Sequence, residues 1–199
     1  MRIGVLALQG DFREHLDTLR AIGVEGIEVR LPQDLAGVDA LILPGGESTT
    51  MRRLIDRWGL RQPIIDLVGG GTPVYGTCAG MIVLAREIAG GEAPIVPLLD
   101  VTVARNAFGR QLESFETTLR VPVLGDRPIR GVFIRAPIIE RVGPEVDVLA
   151  TLEDGRVVAV RQGAILATMA EAHREPAEGA THVERQGPRV RTRATGLQS

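Results

Sequence analysis

Pro73-Val74-Tyr75-Gly76-Thr77-Cys78-Ala79-Gly80-Met81-Ile82-Val83-Leu84 is the stretch from which the rest of the chain can be read. A short apolar run stops at a glycine, one polar residue follows, then a thiol, a small pair and a helix-like segment. This pattern presents a nucleophile at a sharp strand-to-helix turn. Small neighbours let the backbone bend, and a helix N-terminus favours thiolate over thiol. A lone cysteine is most often a small buried hydrophobe. The glycines on both sides argue against that here, because a cysteine in mid-strand needs no permissive backbone around it.

Working back from this turn, Ile3 to Leu8 is almost wholly apolar, as expected of a strand buried on both faces in a parallel sheet. Asp11 to Ile22 has helical spacing, with Phe12, Leu16, Leu19 and Ile22 on one face, and Gly23 is a helix stop. Gly26 to Arg30 and Ala40 to Leu43 are further strands, with the short Leu35–Val38 piece between them. Met51 to Trp58 and Pro63 to Val68 are helices, Pro73 to Tyr75 is the strand feeding Cys78, and Met81 to Ile88 is the helix after it. The resulting β-α-β-β-α-β-α order predicts an α/β fold with a three-layer, doubly wound, mostly parallel sheet.

Forward of the turn, strand-like runs crowd together: Val101 to Arg105, Phe115 to Val121, Ile129 to Ile134, Val146 to Leu152, Val157 to Arg161 and Ala164 to Thr168. Asp154-Gly155 between two alternating runs predicts a hairpin, so antiparallel strands should cover or extend the sheet. One unit over 1–168 is expected. From 169 to 199 only Val183, Val190 and Leu197 are aliphatic residues larger than alanine, apart from Met169. Such a tail buries too little apolar surface to offset its ordering entropy, and it is expected to be mobile or loosely attached beyond about residue 180.

Composition bounds the function. With 199 residues and a formal charge of −2, the chain has one sizeable core and no basic footprint for nucleic acid. No apolar run is long enough to span a bilayer, and the N-terminus enters a strand without signal-peptide anatomy. One cysteine excludes an internal disulfide framework and suits a reducing cytoplasm. No metal site is expected, since no histidine pair has ligand spacing and only one thiol is present.

Three other stretches carry chemistry. Pro44-Gly45-Gly46-Glu47-Ser48-Thr49-Thr50 follows a strand at the sheet edge where ligands bind. Its glycines can turn backbone N–H groups toward an anion, and Ser48 and Thr49 can cap the next helix. It lacks the lysine and spacing of a phosphate-binding loop. Arg105 and Arg135 both follow strand-like runs, and a guanidinium fork matches a carboxylate. The histidines are His15, His173 and His182, so a base for Cys78 must be one of them. His15 shares a helix face with Asp11, which suggests a solvated or partner-facing role. His173 precedes Glu175 by two residues, offering a base and an orienting carboxylate.

Together, Leu6–His15, Pro44–Thr50, Gly76–Gly80, Arg105–Gln111, Glu113–Phe115 and Phe133–Pro137 resemble the triad-type glutamine amidotransferases of the class I, flavodoxin-like type. Within them, Gln9-Gly10-Asp11-Phe12 and Arg105-Asn106-Ala107-Phe108-Gly109-Arg110 point to the glutaminase subunits of pyridoxal 5′-phosphate synthases. The resemblance runs in register to about residue 168. It implies that Cys78 attacks L-glutamine, that N–H groups at Gly46 and Ala79 hold the oxyanion, and that His173 and Glu175 complete the triad. It further implies that Gly46, Glu47, Ser48, Arg105, Ile134 and Arg135 bind glutamine. No cofactor is implied. Ammonia would pass to a lyase-type synthase subunit in a hetero-oligomer making vitamin B6.

The resemblance breaks after Thr168. The family continues with Phe-His-Pro-Glu and a closing amphipathic helix, whereas here His-x-Glu comes two residues later. On an extended segment that shift moves an imidazole by about 6–7 Å, against the roughly 3 Å reach of a general base. Either the loop absorbs the insertion, or the terminus is altered and the glutaminase weak, or the chain only docks on a synthase. A glutaminase subunit of another pathway, such as histidine biosynthesis, would share the elbow. A flavodoxin-like cysteine hydrolase would not need the Pro44–Thr50 turn, and a binding module would leave Cys78 unreactive.

Overall fold

The computed structural model describes residues 1–105, 115–119, 129–133, 137–169, 171–173 and 190–191. Its N-terminal half alternates strands and helices: β1 (Arg2–Leu6), α1 (Phe12–Ala21), β2 (Glu25–Val29), a 3₁₀ turn (Pro32–Leu35), β3 (Ala40–Leu43), α2 (Ser48–Arg57), α3 (Arg61–Gly69), β4 (Val74–Thr77) and α4 (Ala79–Leu84). Strands follow: β5 (Ala85–Ile88), β6 (Leu99–Ala104), β7 (Phe115–Leu119), β8 (Ile129–Phe133), β9 (Ile138–Val142), β10 (Asp147–Leu152), β11 (Val157–Gln162), β12 (Ile165–Thr168), β13 (Glu171–His173) and β14 (Val190–Arg191).

Among the described residues the main sheet runs β14-β10-β11-β12-β4-β3-β1-β2. The pairs from β2 through to β12 are parallel, and β12-β11-β10-β14 are antiparallel. β1 lies inside this sheet, and Val5, Leu6 and Ala7 are fully buried, as an apolar run on a two-sided strand requires. From β1 the chain crosses one way to β2 through α1. From β3 it crosses the other way to β4 through α2 and α3. Right-handed crossovers in opposite directions put their helices on opposite faces, which makes the sheet doubly wound. The switch point between β1 and β3 is where such sheets bind ligands, at the C-terminal ends of the strands.

The Asp154-Gly155 hairpin forms as expected: β10 and β11 pair antiparallel, Leu152 N–H donates to Arg156 O at 2.8 Å, and Gly155 takes φ +87°. Two smaller sheets, β13-β8-β7 and β5-β6-β9, accompany the main one. Met169 is buried, and its N–H donates to Val158 O. The 180–199 tail expectation falls outside the described residues except at Val190–Arg191, whose backbone pairs with Leu152 and Thr151. No helix among the described residues is long and apolar enough to cross a membrane.

Three expectations are corrected. The helix read over Met81–Ile88 ends at Leu84, and Ala85–Ile88 is a strand. Parallel pairing of Ala85 with Leu99 and of Ile88 with Val103 overrides the helix propensity of Ala-Arg-Glu. Ile138–Val142 is a strand not anticipated, paired antiparallel with β6. Ile22 is not on the core face of α1. It is the C-cap and stays exposed, because Gly23 at φ +73° turns the chain away immediately.

Candidate active site

Cys78 occupies the single residue between β4 and α4. Its φ of 47° makes it the one described non-glycine residue with positive φ. Non-glycine residues at such angles persist only where their surroundings over-determine them. Here three features do so. The N–H of Cys78 donates to Thr168 O at 2.8 Å on the neighbouring β12. Its carbonyl accepts from Met81 N at 3.1 Å and Ile82 N at 3.4 Å, opening the helix. The two flanking glycines permit close packing. A Cβ on Gly80 would lie 1.9 Å from Leu43 O, and one on Gly76 would lie 2.9 Å from Gly80 O. The glycine bracket is therefore a steric requirement of packing α4 against β3 and β4. Cys78 is partly exposed.

Beside it, the chain leaving β3 makes a different kind of turn. Leu43 pairs with Gly76, so both turns leave the sheet at neighbouring strand ends. Gly46 has φ +144°, and a Cβ there would meet Gln9 Oε1 at 2.6 Å. Gly10, at φ +91°, backs onto the same turn, where a Cβ would sit 1.8 Å from Gly45 O. Asp11 N–H donates to that carbonyl at 3.2 Å, and Glu47 N–H donates to Gln9 Oε1 at 2.7 Å. The post-β1 and post-β3 loops thus clasp each other across the switch point.

Glu47, not Ser48 or Thr49, caps α2. Its carboxylate accepts from the N–H groups of Thr49 (2.9 Å) and Thr50 (2.7 Å) and from the Thr50 hydroxyl (2.7 Å). Its backbone is extended at the cap position, so the longer side chain can fold back over the first turn. Partial burial pushes the Glu47 carboxyl up. The hydrogen bonds from Thr50 and Thr49 outweigh that and hold its pKa at about 2. Ser48 instead starts the helix and is buried.

Arg105 is brought here from the end of β6. Its Nη1 donates to Thr49 Oγ1 at 2.8 Å and Ser48 Oγ at 3.4 Å, and its Nη2 pairs with the Glu92 carboxylate. A guanidinium group thus sits against the Ser48–Thr49 start of α2 across more than 50 residues of sequence. Neither Glu92 nor the Gln9 contact was singled out from sequence as part of a site.

His15, expected to be solvated or partner-facing, is half-buried on α1, one turn before buried Leu19. Its Nε2 lies 3.5 Å from the Thr77 hydroxyl, and its ring meets Tyr75 edge-on with centroids 6.5 Å apart. The Tyr75 and Thr168 hydroxyls are 3.0 Å apart. The backbone of His173 pairs with Arg130 in β8. Ile134, Arg135 and Glu175, expected site residues, lie outside the described residues.

Residues 5–186 match the SNO glutamine amidotransferase family. The chain belongs to this family. A Herpetosiphon aurantiacus protein named pyridoxal 5′-phosphate synthase subunit PdxT is 56% identical over 171 residues, covering 84% of this chain and 90% of that protein. A Roseiflexus protein of the same name is 57% identical over 170 residues, with the same coverage. A crystal structure described as a glutamine amidotransferase superposes with a TM-score of 0.79 at 50% identity, covering 85% of this chain and 89% of that one. The PurLQS structure from Thermotoga maritima shares the fold at a TM-score of 0.64 and 19% identity, covering 85% of this chain and 86% of that one.

Proposed function

We propose that Cys78 is the nucleophile of a glutaminase that hydrolyses L-glutamine to L-glutamate and ammonia, the ammonia passing to a pyridoxal 5′-phosphate synthase subunit. The observation that carries this reading is the positive-φ elbow at Cys78, set at the strand end next to the Gly46–Glu47 turn. The relatives are named as subunits of that synthase, so a glutaminase of histidine biosynthesis is not favoured.

In the mechanism, the Cys78 thiolate adds to the side-chain amide carbon of glutamine, giving a tetrahedral oxyanion. The N–H groups of Gly46 and Ala79 receive that charge. Ala79 is the first residue of α4, where N–H groups have no intrahelical acceptor. Collapse of the intermediate breaks the C–N bond and leaves a thioester, while His173 gives the departing nitrogen its proton. His173 then takes a proton from water, the hydroxide attacks the thioester, and glutamate leaves with the thiolate restored. Glu175 orients the imidazole.

Arg105 takes the substrate carboxylate as a guanidinium fork. Glu47, Ser48, Ile134 and Arg135 complete the glutamine site. With its carboxylate engaged by the first turn of α2, Glu47 serves chiefly to fix the turn that aims the Gly46 amide. No step calls for a cofactor. The lone cysteine suits a reducing cytoplasm.

The test is glutamate and ammonia release by the chain assembled with its synthase partner. Cys78→Ala should lower turnover by roughly 10⁴-fold or more, and His173→Ala should come close to it. Release that survives Cys78→Ala removes the reading. Full activity in His173→Ala with none in Cys78→Ala would keep the nucleophile and reassign the base.

A further inference from the structure

We infer that Glu92 is a positioning residue for glutamine binding, holding the Arg105 guanidinium in place over the start of α2. The inference rests on the reading of Arg105 as a substrate ligand. Arg105 is a long side chain with many rotamers, and a ligand of this kind loses affinity if it must be ordered at each binding event. Its guanidinium is held from two directions. Thr49 and Ser48 take one end of the guanidinium, and the Glu92 carboxylate takes the other.

Glu92 is itself built into position. Gly90 and Gly91, at φ +92° and +81°, reverse the chain after β5, and Glu92 forms an antiparallel bridge back to Ile88. The segment that follows is strapped to the helices. Arg52 of α2 donates to Ala93 O, and Arg61 of α3 donates to Pro94 O at 3.0 Å. Buried Ile88 and Ile95 anchor it on either side. Arg52 also lies 3.9 Å from the Glu92 carboxylate, so one anion separates two guanidinium groups that would otherwise repel. A surface ion pair of this exposure adds little to stability. The structural investment in placing it is better accounted for by the orientation of Arg105.

The test compares glutamine kinetics and thermal stability of Glu92→Ala, Glu92→Gln, Arg105→Ala and the Glu92→Ala/Arg105→Ala pair, each assembled with the synthase. Glu92→Ala should raise KM by about 3–10-fold with kcat within about twofold, the pattern of lost ground-state binding. Glu92→Gln, which keeps an acceptor oxygen, should raise it less, and the melting temperature should be unchanged in both. The double variant should match Arg105→Ala, because Glu92 acts only through that guanidinium. An unchanged or lowered KM in Glu92→Ala, with KM raised in Arg105→Ala, overturns the positioning role alone. A lowered KM would mean that Glu92 competes with substrate. An unchanged KM in Arg105→Ala overturns the underlying reading of Arg105.

Discussion

Two neighbouring strand ends solve opposite problems. After β4 the chain must expose one side chain. It does so by forcing Cys78 to φ 47° while Gly76 and Gly80 make room for the helix behind it. After β3 it must expose backbone. It does so with Gly46 at φ +144°, tied by Glu47 N–H to Gln9 and capped by the Glu47 carboxylate. The first turn is held by close packing of α4 on Leu43 and by backbone hydrogen bonds of Cys78, and the second by close approach of Gly10 and Gly46 together with hydrogen bonds to Gln9 and within its own helix start. Neither turn has room for an added atom at its glycines, but the first joins a helix to the sheet core and the second joins two loops, so the side chains around them should differ in what they contribute.

The largest effect is expected at the packed turn. Gly80→Ala places a Cβ 1.9 Å from a backbone oxygen that cannot swing away. It should cost about 3 kcal/mol, the upper range for overpacking, and abolish glutaminase activity in whatever remains folded. A melting temperature within about 2 °C of the parent would break the contrast. At the second turn, Gly10→Ala should cost a comparable amount of stability, since its Cβ would meet a backbone oxygen at 1.8 Å and a φ of +91° disfavours any side chain. Its Cβ would press on Gly45 and misplace the Gly46 amide, lowering kcat by about 10²-fold, as a displacement near 1 Å does elsewhere. Wild-type kcat in that variant would separate the post-β1 loop from catalysis.

The smallest effect is expected at Glu47. Glu47→Gln removes a charged cap and should destabilise by about 0.5–1 kcal/mol at neutral pH. The folded-state pKa of Glu47 is about 2, below its ordinary 4.5. The stabilisation is therefore fully present above the unfolded value and is lost as pH falls from 4.5 toward 2. Denaturant unfolding of both proteins from pH 7 down to 3.5 should show the gap narrowing only below about 5. A gap that widens toward acid would reverse the sign and remove the cap assignment.

Much of this is legible in the sequence where one local rule acts alone. The apolar run at Ile3–Leu8 fits a two-sided strand, and Asp154-Gly155 between alternating runs fits a hairpin. The elbow is legible because a thiol flanked by glycines marks a backbone that must bend sharply on both sides of one side chain. Sequence misleads where a distant partner decides. Ala85–Ile88 has helix-forming composition, and only pairing with Leu99–Val103 makes it a strand. Ser48 is a plausible cap by residue type, but Glu47 reaches the same N–H groups from one position earlier. His15 reads as solvated or partner-facing, because helix spacing alone cannot say that its ring meets Tyr75 and Thr77. Arg105 is legible only as a strand-end guanidinium, while its partners Thr49 and Glu92 need the fold.

The most direct measurement is intact-mass and peptide mapping of the synthase-bound chain after exposure to an electrophilic glutamine analogue bearing a diazoketone in place of the carboxamide. One adduct per chain, located on Cys78 and suppressed by excess L-glutamine, is the predicted result. Absence of labelling at Cys78, or labelling that glutamine does not suppress, would contradict the assignment of that thiol as the nucleophile of a glutamine site.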